Sequence, residues 1–296
     1  MTEAGPRVVA LGGGHGLAVT LRAVRRYASD ITAIVSVADD GGSSGRLRRA
    51  LDVPAPGDLR RCLVALAEGA YPWPDAFEHR FEAGELAGHA LGNLILVGLA
   101  ETLGGLEPAL AAAGRLLGAV GTVLPATERP VALVAETGGE AIEGQVAVAR
   151  AGSLRTLDAV RLEPSGVAPP VRVPEAIGAA DQVVIAPGSL FTSVLAVLAV
   201  PEIARAVRDA PGCVVQIANL AAEAETTGLT AADHVRRVAA STGRIDAVLW
   251  DPGAGLGPDE DAAAETGARS VVASVAAPDG RAHDPERLAQ ALASLM

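Results

Sequence analysis

The amino-acid sequence predicts an α/β fold, with a doubly wound, mostly parallel sheet and a small antiparallel β insertion. Short runs rich in Val, Ile and Ala recur at wide spacing, and each run is nearly continuously apolar instead of alternating with polar residues. Such runs are typical of parallel strands that are buried on both faces. Helical segments separate the runs, and 50% of the 296 residues are hydrophobic, which allows a sizeable core. Together these observations favour a Rossmann-like fold.

The predicted strands and helices follow one another along the chain. The strand runs are residues 8–11, 31–38, 182–186, 213–218, 246–250 and 270–276. Several helices between them have clear start signals, since Asp58 is the predicted N-cap of one helix and Asp284 that of the last one. Thr230 and Asp233 form a predicted capping box at the start of another helix. Strand, loop, helix and strand in this order is the doubly wound pattern.

One region departs from this pattern. Residues 121–173 contain alternating stretches around a Gly-Gly pair. This arrangement predicts an antiparallel hairpin or a small sheet, which is either inserted in the main sheet or added to it. The chain has no internal repeat and no low-complexity segment, so we expect a single α/β domain over residues 1–296.

Composition and missing motifs exclude several classes of function. The net charge of −11 disfavours nucleic acid and anionic membranes as partners. All 24 basic residues are Arg, so the chain has neither a Walker lysine nor a Schiff-base nucleophile. An anionic ligand must therefore be recognised by Arg, by backbone N–H groups and by helix N-termini. The sequence also lacks G-x-S-x-G, H-E-x-x-H and Cys/His metal spacing, and it shows no nucleophile–base pair.

Cysteine usage and hydropathy predict the compartment. Cys62 and Cys213 lie in apolar segments and are interpreted as buried thiols in a reducing compartment. The first predicted strand begins within ten residues of the start, which leaves no room for a charged leader and a long apolar region. The longest apolar stretch, residues 190–200, is about half of a membrane span. We therefore expect a cytoplasmic protein without a membrane span.

The first stretch that could bind a ligand is "VVALGGGHGLAVTL", which joins a strand to a helix. Glycines here let backbone N–H groups approach an anion, and the helix N-terminus adds a positive dipole. The spacing does not match G-x-G-x-x-G, because the third glycine would fall on Val19, and a simple tight turn is the structural alternative. His15 could hydrogen-bond a ligand. The glycines of this predicted anion site are Gly12, Gly13, Gly14 and Gly16.

The second stretch, "ADDGGSSGRLRR", gathers acids, glycines, hydroxyls and bases. Asp39 and Asp40 follow the second strand, where an acid can hold ribose hydroxyls or a pair of acids can hold Mg²⁺; alternatively, one of them caps the next turn. The arginines of this stretch and of "PGDLRR" are predicted at helix starts, where an anion would compensate for them, unless they form a solvated basic face. The predicted contacts here are Gly42, Ser43, Ser44, Arg46, Asp58 and Arg60.

Three later stretches supply the remaining predicted contacts. Asn93 of "GHALGNL" either caps a helix or contacts a base or sugar. Gly188 and Ser189 of "APGSLFTS" begin another helix, with the Thr192 hydroxyl near the mouth of the site; a capped turn is the structural alternative. Asn219 follows a strand at its carboxyl end, where ligands of such sheets bind.

These motifs, in this order, resemble the YvcK-type gluconeogenesis factors, which are relatives of the CofD-type phospholactate transferases. The matching strings span residues 8–234, and "ADDGGSSGRLRR" followed by "PGDLRRCL" is the most specific of them. The resemblance implies a Rossmann-like fold that binds a UDP-sugar such as UDP-N-acetylglucosamine, and a role in cell shape and envelope synthesis during gluconeogenic growth, without a settled catalytic activity. It assigns ligand contacts to Gly12–Gly16, Asp39, Asp40, Ser43, Arg46, Asn93, Gly188, Ser189 and Asn219.

Two features of the chain depart from the family pattern, and two other functions are considered. His15 stands where the glycine loop commonly has Thr, and the loop after Asn219 is shorter than usual, so the ligand could differ. The first alternative is a phospholactate transferase that uses a deazaflavin acceptor, with Asp39 and Asp40 holding Mg²⁺. An NAD-dependent oxidoreductase rests on fold analogy alone and is disfavoured. We also expect a homo-oligomer, a dimer, with envelope-synthesis proteins among its partners.

Overall fold

The strands form one large parallel sheet and one small antiparallel sheet. The computed structural model describes residues 5–69 and 71–296. The prediction that the chain begins without a leader concerns residues 1–4 in part, and these lie outside the described residues. The strands are β1 (Arg7–Gly12), β2 (Asp30–Val35), β3 (Thr122–Pro125), β4 (Ala132–Thr137), β5 (Glu140–Glu143), β6 (Ala159–Glu163), β7 (Gln182–Ile185), β8 (Cys213–Ile217), β9 (Ala247–Trp250) and β10 (Arg269–Val272).

The order of the strands places a crevice beside β1. The large sheet has the order β10-β9-β8-β7-β1-β2-β3, with parallel pairing between neighbours. Val8 of β1 pairs with Ile31 of β2 on one side and with Gln182 of β7 on the other. The chain thus builds the sheet outward from β1 in both directions, and the direction changes between β1 and β7. In doubly wound sheets such a switch point is where ligands bind.

The predicted fold class is confirmed, and the structure adds one strand to the large sheet. β1 and β2 are buried along most of their length, as their continuous apolar runs predict. Residues 122–125 lie inside the region expected to be antiparallel, but Val123 pairs in parallel with Ala33 of β2. The antiparallel sheet has the order β5-β4-β6 and begins only at Ala132. A four-residue apolar run carries no signal that distinguishes the two arrangements.

Helices cover the large sheet, and two of the predicted start signals are confirmed. Thr230 and Asp233 form the expected capping box, and the Asp284 carboxylate accepts from the first backbone N–H groups of the last helix. A π-helix, Leu190–Val194, is the first helix after β7. The α-helices are α1 (Gly14–Val24), α2 (Gly42–Leu51), α3 (Gly57–Leu66), α4 (Trp73–Glu78), α5 (Leu91–Leu103), α6 (Leu106–Leu117), α7 (Gln145–Gly152), α8 (Arg172–Ala179), α9 (Leu195–Leu198), α10 (Pro201–Arg208), α11 (Ala231–Thr242), α12 (Glu260–Glu265) and α13 (Pro285–Ala293).

Two further expectations concern membrane spans and thiols. Among the described residues, no helix is by itself long and apolar enough to cross a bilayer; the segments Leu190–Leu198 and Pro201–Arg208 reach that length and composition only as a pair bent by 79°. Cys62 is buried as predicted, whereas Cys213 is only half-buried because β8 begins there at the edge of the core. Burial raises the pKa of both thiols, so neither is poised as a thiolate.

Candidate ligand-binding site

Loops after four neighbouring strands meet in one cleft at the carboxyl edge of the large sheet. The cleft has two adjoining lobes that share His15, Gly16, Gly188 and Glu223. The first, which we call the polar lobe, has a volume of about 320 Å³, and the second, the apolar lobe, has a volume of about 440 Å³. The polar lobe is also lined by Gly13, Gly14, Asp39, Asp58, Arg61 and Ser189. The apolar lobe is also lined by Val19, Pro187, Asn219, Leu220, Arg281 and His283.

Glycine is required in the turn after β1 for two different reasons. Gly14 has a φ of +63°, a conformation that residues with a Cβ rarely adopt. Gly16 is held in place by packing, because a Cβ there would lie 1.8 Å from the carbonyl oxygen of Pro187. The turn after β1 is therefore pressed against the turn after β7, and the two turns form a continuous wall of the cleft.

Asp58 does not cap its own helix, and this prediction was wrong. Pro56 occupies the N-cap position of α3, and Asp58 lies in the first turn with its side chain directed to the turn after β1. Its Oδ2 accepts from the backbone N–H of Gly14 at 2.7 Å, and its Oδ1 accepts from Arg61 Nη1 at 2.7 Å. One N–H group of the predicted anion site is thus already bound to a carboxylate of the chain itself.

A second carboxylate occupies the helix start after β7. Glu225 Oε1 accepts from the backbone N–H of Phe191 at 2.8 Å and from that of Thr192 at 3.3 Å. Its Oε2 accepts from the Thr192 hydroxyl at 2.7 Å. Thr192 is therefore buried and bound to Glu225 and does not line the cleft. The Ser189 hydroxyl also makes no cap bond, because it donates to Glu223 in the polar lobe.

Asp39 and Asp40 diverge although they are adjacent in the chain. Asp39 lines the polar lobe and accepts from the backbone N–H of Gly41 at 2.9 Å. Burial raises the pKa of Asp39, and the nearby charge of Asp58 raises it further. Asp40 Oδ1 instead accepts from the backbone N–H of Val146 at 3.0 Å, in the first turn of α7. The structure brings Asp39 together with Asp58, not with Asp40.

The fit of a divalent cation follows from this pairing. No group of three or more His, Cys, Asp or Glu side chains within residues 5–69 and 71–296 is placed to hold a metal ion. Two carboxylates that face one lobe suit Mg²⁺ only if ligand phosphates and water supply its remaining oxygen ligands. Asp40 does not face this lobe, so the predicted pairing of Asp39 with Asp40 as magnesium ligands is wrong, and the second carboxylate in the lobe is Asp58.

Three of the predicted contacts form a buried network behind the cleft. Asn93 Nδ2 donates to Ser43 Oγ at 3.0 Å, and Asn93 Oδ1 accepts from Arg60 Nε at 3.0 Å. The Arg60 guanidinium also donates to the carbonyl of Phe77 at 3.3 Å and forms an ion pair with Glu78. These three side chains are almost fully buried, so they tie α2, α3 and α5 together and do not line the cleft.

The remaining predicted contacts in α2 do not line the cavity either. Arg46 is exposed and donates to the carbonyl of Ala87 at 2.7 Å. Ser44 is buried beside Asp39 and lowers the pKa of that carboxyl by a hydrogen bond, although burial outweighs this effect. Because α2 begins at Gly42, Arg48 and Arg49 lie in its last turn instead of at its start. Cations are favourable at a helix C-terminus, so they need no compensating anion.

Asn219 fixes the wall between the turns after β7 and β8. Its Nδ2 donates to the carbonyl of Gly188 at 2.9 Å, and its Oδ1 accepts from the N–H of the same residue at 3.1 Å. The predicted residues that line the cleft are Gly13, Gly14, His15, Gly16, Asp39, Asp58, Gly188, Ser189 and Asn219. Those outside its lining are Gly12, Asp40, Gly42, Ser43, Ser44, Arg46, Arg60, Asn93 and Thr192.

Several lining residues were missed by sequence reasoning. Arg61 lies one helical turn from Asp58, and this i,i+3 spacing of opposite charges was an available signal. Glu223 lies in the loop after Asn219, which is shorter than is usual in the family, but nothing in the sequence places Glu223 between the two lobes. Arg281 and His283 come from the segment after β10, and burial lowers the pKa of His283 to about 4, so its ring is neutral. No motif distinguishes that segment.

Comparison with known proteins gives consistent matches. The family described as 2-phospho-L-lactate transferase CofD matches residues 8–276. A protein of Deinococcus radiodurans is 47% identical over 243 residues, which are 81% of this chain and 52% of that relative, so the chain spans about half of its length. The gluconeogenesis factor of Bacillus subtilis is 41% identical over 249 residues, which cover 82% of this chain and 78% of that protein.

A solved structure matches over nearly the whole chain. The crystal structure of a member of the UPF0052 family from Bacillus halodurans superposes with a TM-score of 0.92 at 36% sequence identity. The match covers 97% of this chain and 98% of that one. The gluconeogenesis factor of Halalkalibacterium halodurans is 42% identical over 247 residues, which cover 82% of this chain and 76% of that protein.

Proposed function

Because the chain belongs to the CofD family and, within it, to the gluconeogenesis factors, we propose that it is a regulatory protein that binds a nucleotide sugar similar to UDP-N-acetylglucosamine. The proposal includes the role in cell shape and envelope synthesis during gluconeogenic growth. It also includes a single domain over residues 1–296, a homodimer, and envelope-synthesis proteins as partners.

The observation that carries the proposal is the two-lobed cleft at the switch point of the sheet. Its lobes, of about 320 and 440 Å³, each lie in the size range of small-molecule sites. The apolar lobe, with Val19, Pro187 and Leu220 in its wall, suits the flat face of a base. The shared wall at Gly16 and Gly188 lets a diphosphate approach the backbone closely.

The charges of the polar lobe favour a sugar over a second phosphate. Asp39, Asp58 and Glu223 face this lobe, and Arg61 is the cation in its lining. Carboxylates accept hydrogen bonds from sugar hydroxyls and from an amide N–H, but they repel phosphate oxygens. In the proposed arrangement the sugar lies in the polar lobe, the base lies in the apolar lobe, and the diphosphate crosses between them.

Titration calorimetry of the purified chain tests the proposal. We expect dissociation constants in the micromolar range for UDP-N-acetylglucosamine, weaker binding of UDP-glucose, and the weakest binding of NAD. Arg46→Ala is the matched control for Asp39→Asn, since Arg46 does not line the cleft and donates to the carbonyl of Ala87. Asp39→Asn should weaken binding about tenfold, and Arg46→Ala should change it less than twofold. If the protein is folded and none of these nucleotides gives binding heat, the proposal is wrong.

A phospholactate transferase is the second candidate, because the matching family description names that activity. Asp39 and Asp58 would hold Mg²⁺, which would neutralise the charge of a diphosphate as a bond to phosphorus breaks. Arg61 would keep the Asp58 carboxylate in place, and Asp39 would orient the donor. Incubation with a deazaflavin acceptor and nucleotide-activated phospholactate, with and without Mg²⁺, tests this candidate. A phospholactylated product that requires Mg²⁺ would favour it over the regulatory function.

A further inference from the structure

A small cavity lies behind the apolar lobe, between the ends of β8 and β9 and the helix α11. Its volume is about 10 Å³, which is close to the space that one water molecule needs. Gln216 and Asn219 line it from the end of β8, His234 lines it from α11, and Trp250 lines it from the end of β9. The cavity is separate from both lobes of the cleft, although Asn219 lines the apolar lobe as well.

Three buried polar atoms come from residues that line this cavity. They are Gln216 Oε1, His234 Nε2 and Trp250 Nε1, and none of them has a hydrogen-bond partner in the part of the chain that the structure describes. The three residues are 5%, 6% and 1% exposed. A buried polar group without a partner is costly, and folded proteins rarely tolerate one. Three such groups around one cavity indicate a shared partner inside it.

The chemistry of the three atoms identifies that partner. The indole N–H of Trp250 can only donate, so a cation cannot satisfy it. The carbonyl oxygen of Gln216 can only accept, so an anion cannot satisfy it. The occupant must both accept and donate, and at this volume a water molecule meets both conditions. Burial lowers the pKa of His234, so its ring is neutral, and water can pair with Nε2 in either tautomer.

We propose that one internal water molecule binds in this cavity and bridges Gln216, His234 and Trp250. The water joins β8, β9 and α11 directly behind Asn219, which makes two hydrogen bonds to Gly188 in the wall of the cleft. Its role is structural, since it supports the turn that carries Asn219. The inference depends on the three polar atoms and the cavity, so it stands or falls independently of which ligand binds in the cleft.

Proton NMR of the ¹⁵N-labelled chain tests the proposal. The chain has two tryptophans, Trp73 and Trp250, so only two indole N–H signals need to be assigned. The Trp73→Phe variant assigns the two indole N–H signals. We expect a nuclear Overhauser effect between the Trp250 indole proton and a water of long residence time. Trp73 is 43% exposed, and its indole proton should instead exchange rapidly with bulk solvent.

Substitution of each tryptophan supplies the matched comparison. Trp250→Phe keeps an aromatic ring but removes the donor, so it should lower Tm by about 2–4 °C, whereas Trp73→Phe should change Tm less. If Trp250→Phe does not fold, the wild-type spectrum decides alone. If the assigned Trp250 indole proton shows no nuclear Overhauser effect with a water molecule, the proposal is overturned. A crystal structure in which the three side chains bond to one another directly would overturn it too.

Discussion

Two strand-to-helix turns at the same edge of the sheet look alike but differ in how their N–H groups are occupied. In the turn after β1, the Gly14 N–H is bound by Asp58, and in the turn after β7, the N–H groups of Phe191 and Thr192 are bound by Glu225. Asp58 faces the polar lobe and is paired with Arg61. Glu225 is 4% exposed and lines neither lobe.

The difference separates a position that a ligand can reach from one that it cannot. Burial raises the pKa of Glu225, and no Arg in the described ranges forms an ion pair with it. Glu225 therefore acts as an internal cap of the π-helix. Asp58 holds the place of an oxyanion between an N–H group and a guanidinium, at the surface of a cavity. A glycine-rich or Pro-Gly-Ser turn alone thus does not establish a vacant phosphate site.

The largest expected effect comes from forcing the two turns apart. Gly16→Ala would place a Cβ against the carbonyl of Pro187, so it should lower the free energy of unfolding by about 3 kcal/mol or more. Gly14→Ala is the matched control, because nothing lies within 4 Å of its Cβ position and it incurs only the strain of a positive φ, about 1 kcal/mol. Urea unfolding measures both variants, and equal losses would contradict the contact between the turns.

The next effect concerns the turn after β7, which we call the sealed turn because Glu225 binds its N–H groups. Glu225→Ala leaves two backbone N–H groups and the Thr192 hydroxyl without their acceptor, which should reduce the free energy of unfolding by about 2 kcal/mol. Glu225→Gln keeps an acceptor oxygen and should lose less. Nucleotide-sugar affinity should stay within twofold for the Gln variant. A tenfold loss of affinity in that variant, with stability unchanged, would instead place Glu225 in the binding site.

The fold could be predicted from the sequence because its signals are local. The apolar runs at 8–11 and 182–186 predict buried parallel strands, and residues that follow strand ends must lie at the carboxyl edge of the sheet. For this reason Gly16, Gly188 and Asn219 could be assigned to one cleft before any coordinates. Helix start signals worked equally well at Thr230 and Asp284, where the capping side chain belongs to the same helix.

The occupancy of the N–H groups could not be predicted, because the partners are distant in sequence. Asp58 is 44 residues from Gly14, and Glu225 is 34 residues from Phe191. Local reasoning assigned Asp58 to its own helix and left the two turns bare. Helical phase caused two further errors, since Asn93 and Arg60 were placed near the site but point from their helices into the interior.

The turn after β1, which we call the open turn because Asp58 faces the polar lobe, should gain a new ligand when the Asp58 carboxylate is removed. Asp58→Ala frees the Gly14 N–H and the Arg61 guanidinium together, so inorganic pyrophosphate should bind about tenfold more tightly than to the wild type, a difference of about 1.4 kcal/mol. Titration calorimetry measures the gain, and Asp58→Asn should give a smaller one. The matched control is Glu225→Gln, which should show no gain. Equal pyrophosphate affinity in wild type and Asp58→Ala would remove the distinction between the two turns.

The smallest effect is a pH dependence that belongs to the sealed turn. Burial raises the pKa of Glu225 in the folded chain above its ordinary value of 4.5, so the folded state binds a proton more tightly than the unfolded state does. The resulting stabilisation is fully present below pH 4.5 and is lost as the pH rises through the folded-state value. Glu225→Gln cannot titrate, so the difference in unfolding free energy between wild type and this variant should shift against the wild type over that window. Urea unfolding between pH 4 and pH 7 measures the shift. A difference that does not depend on pH would mean that burial does not raise the pKa of Glu225, and the contrast between the two turns would fail.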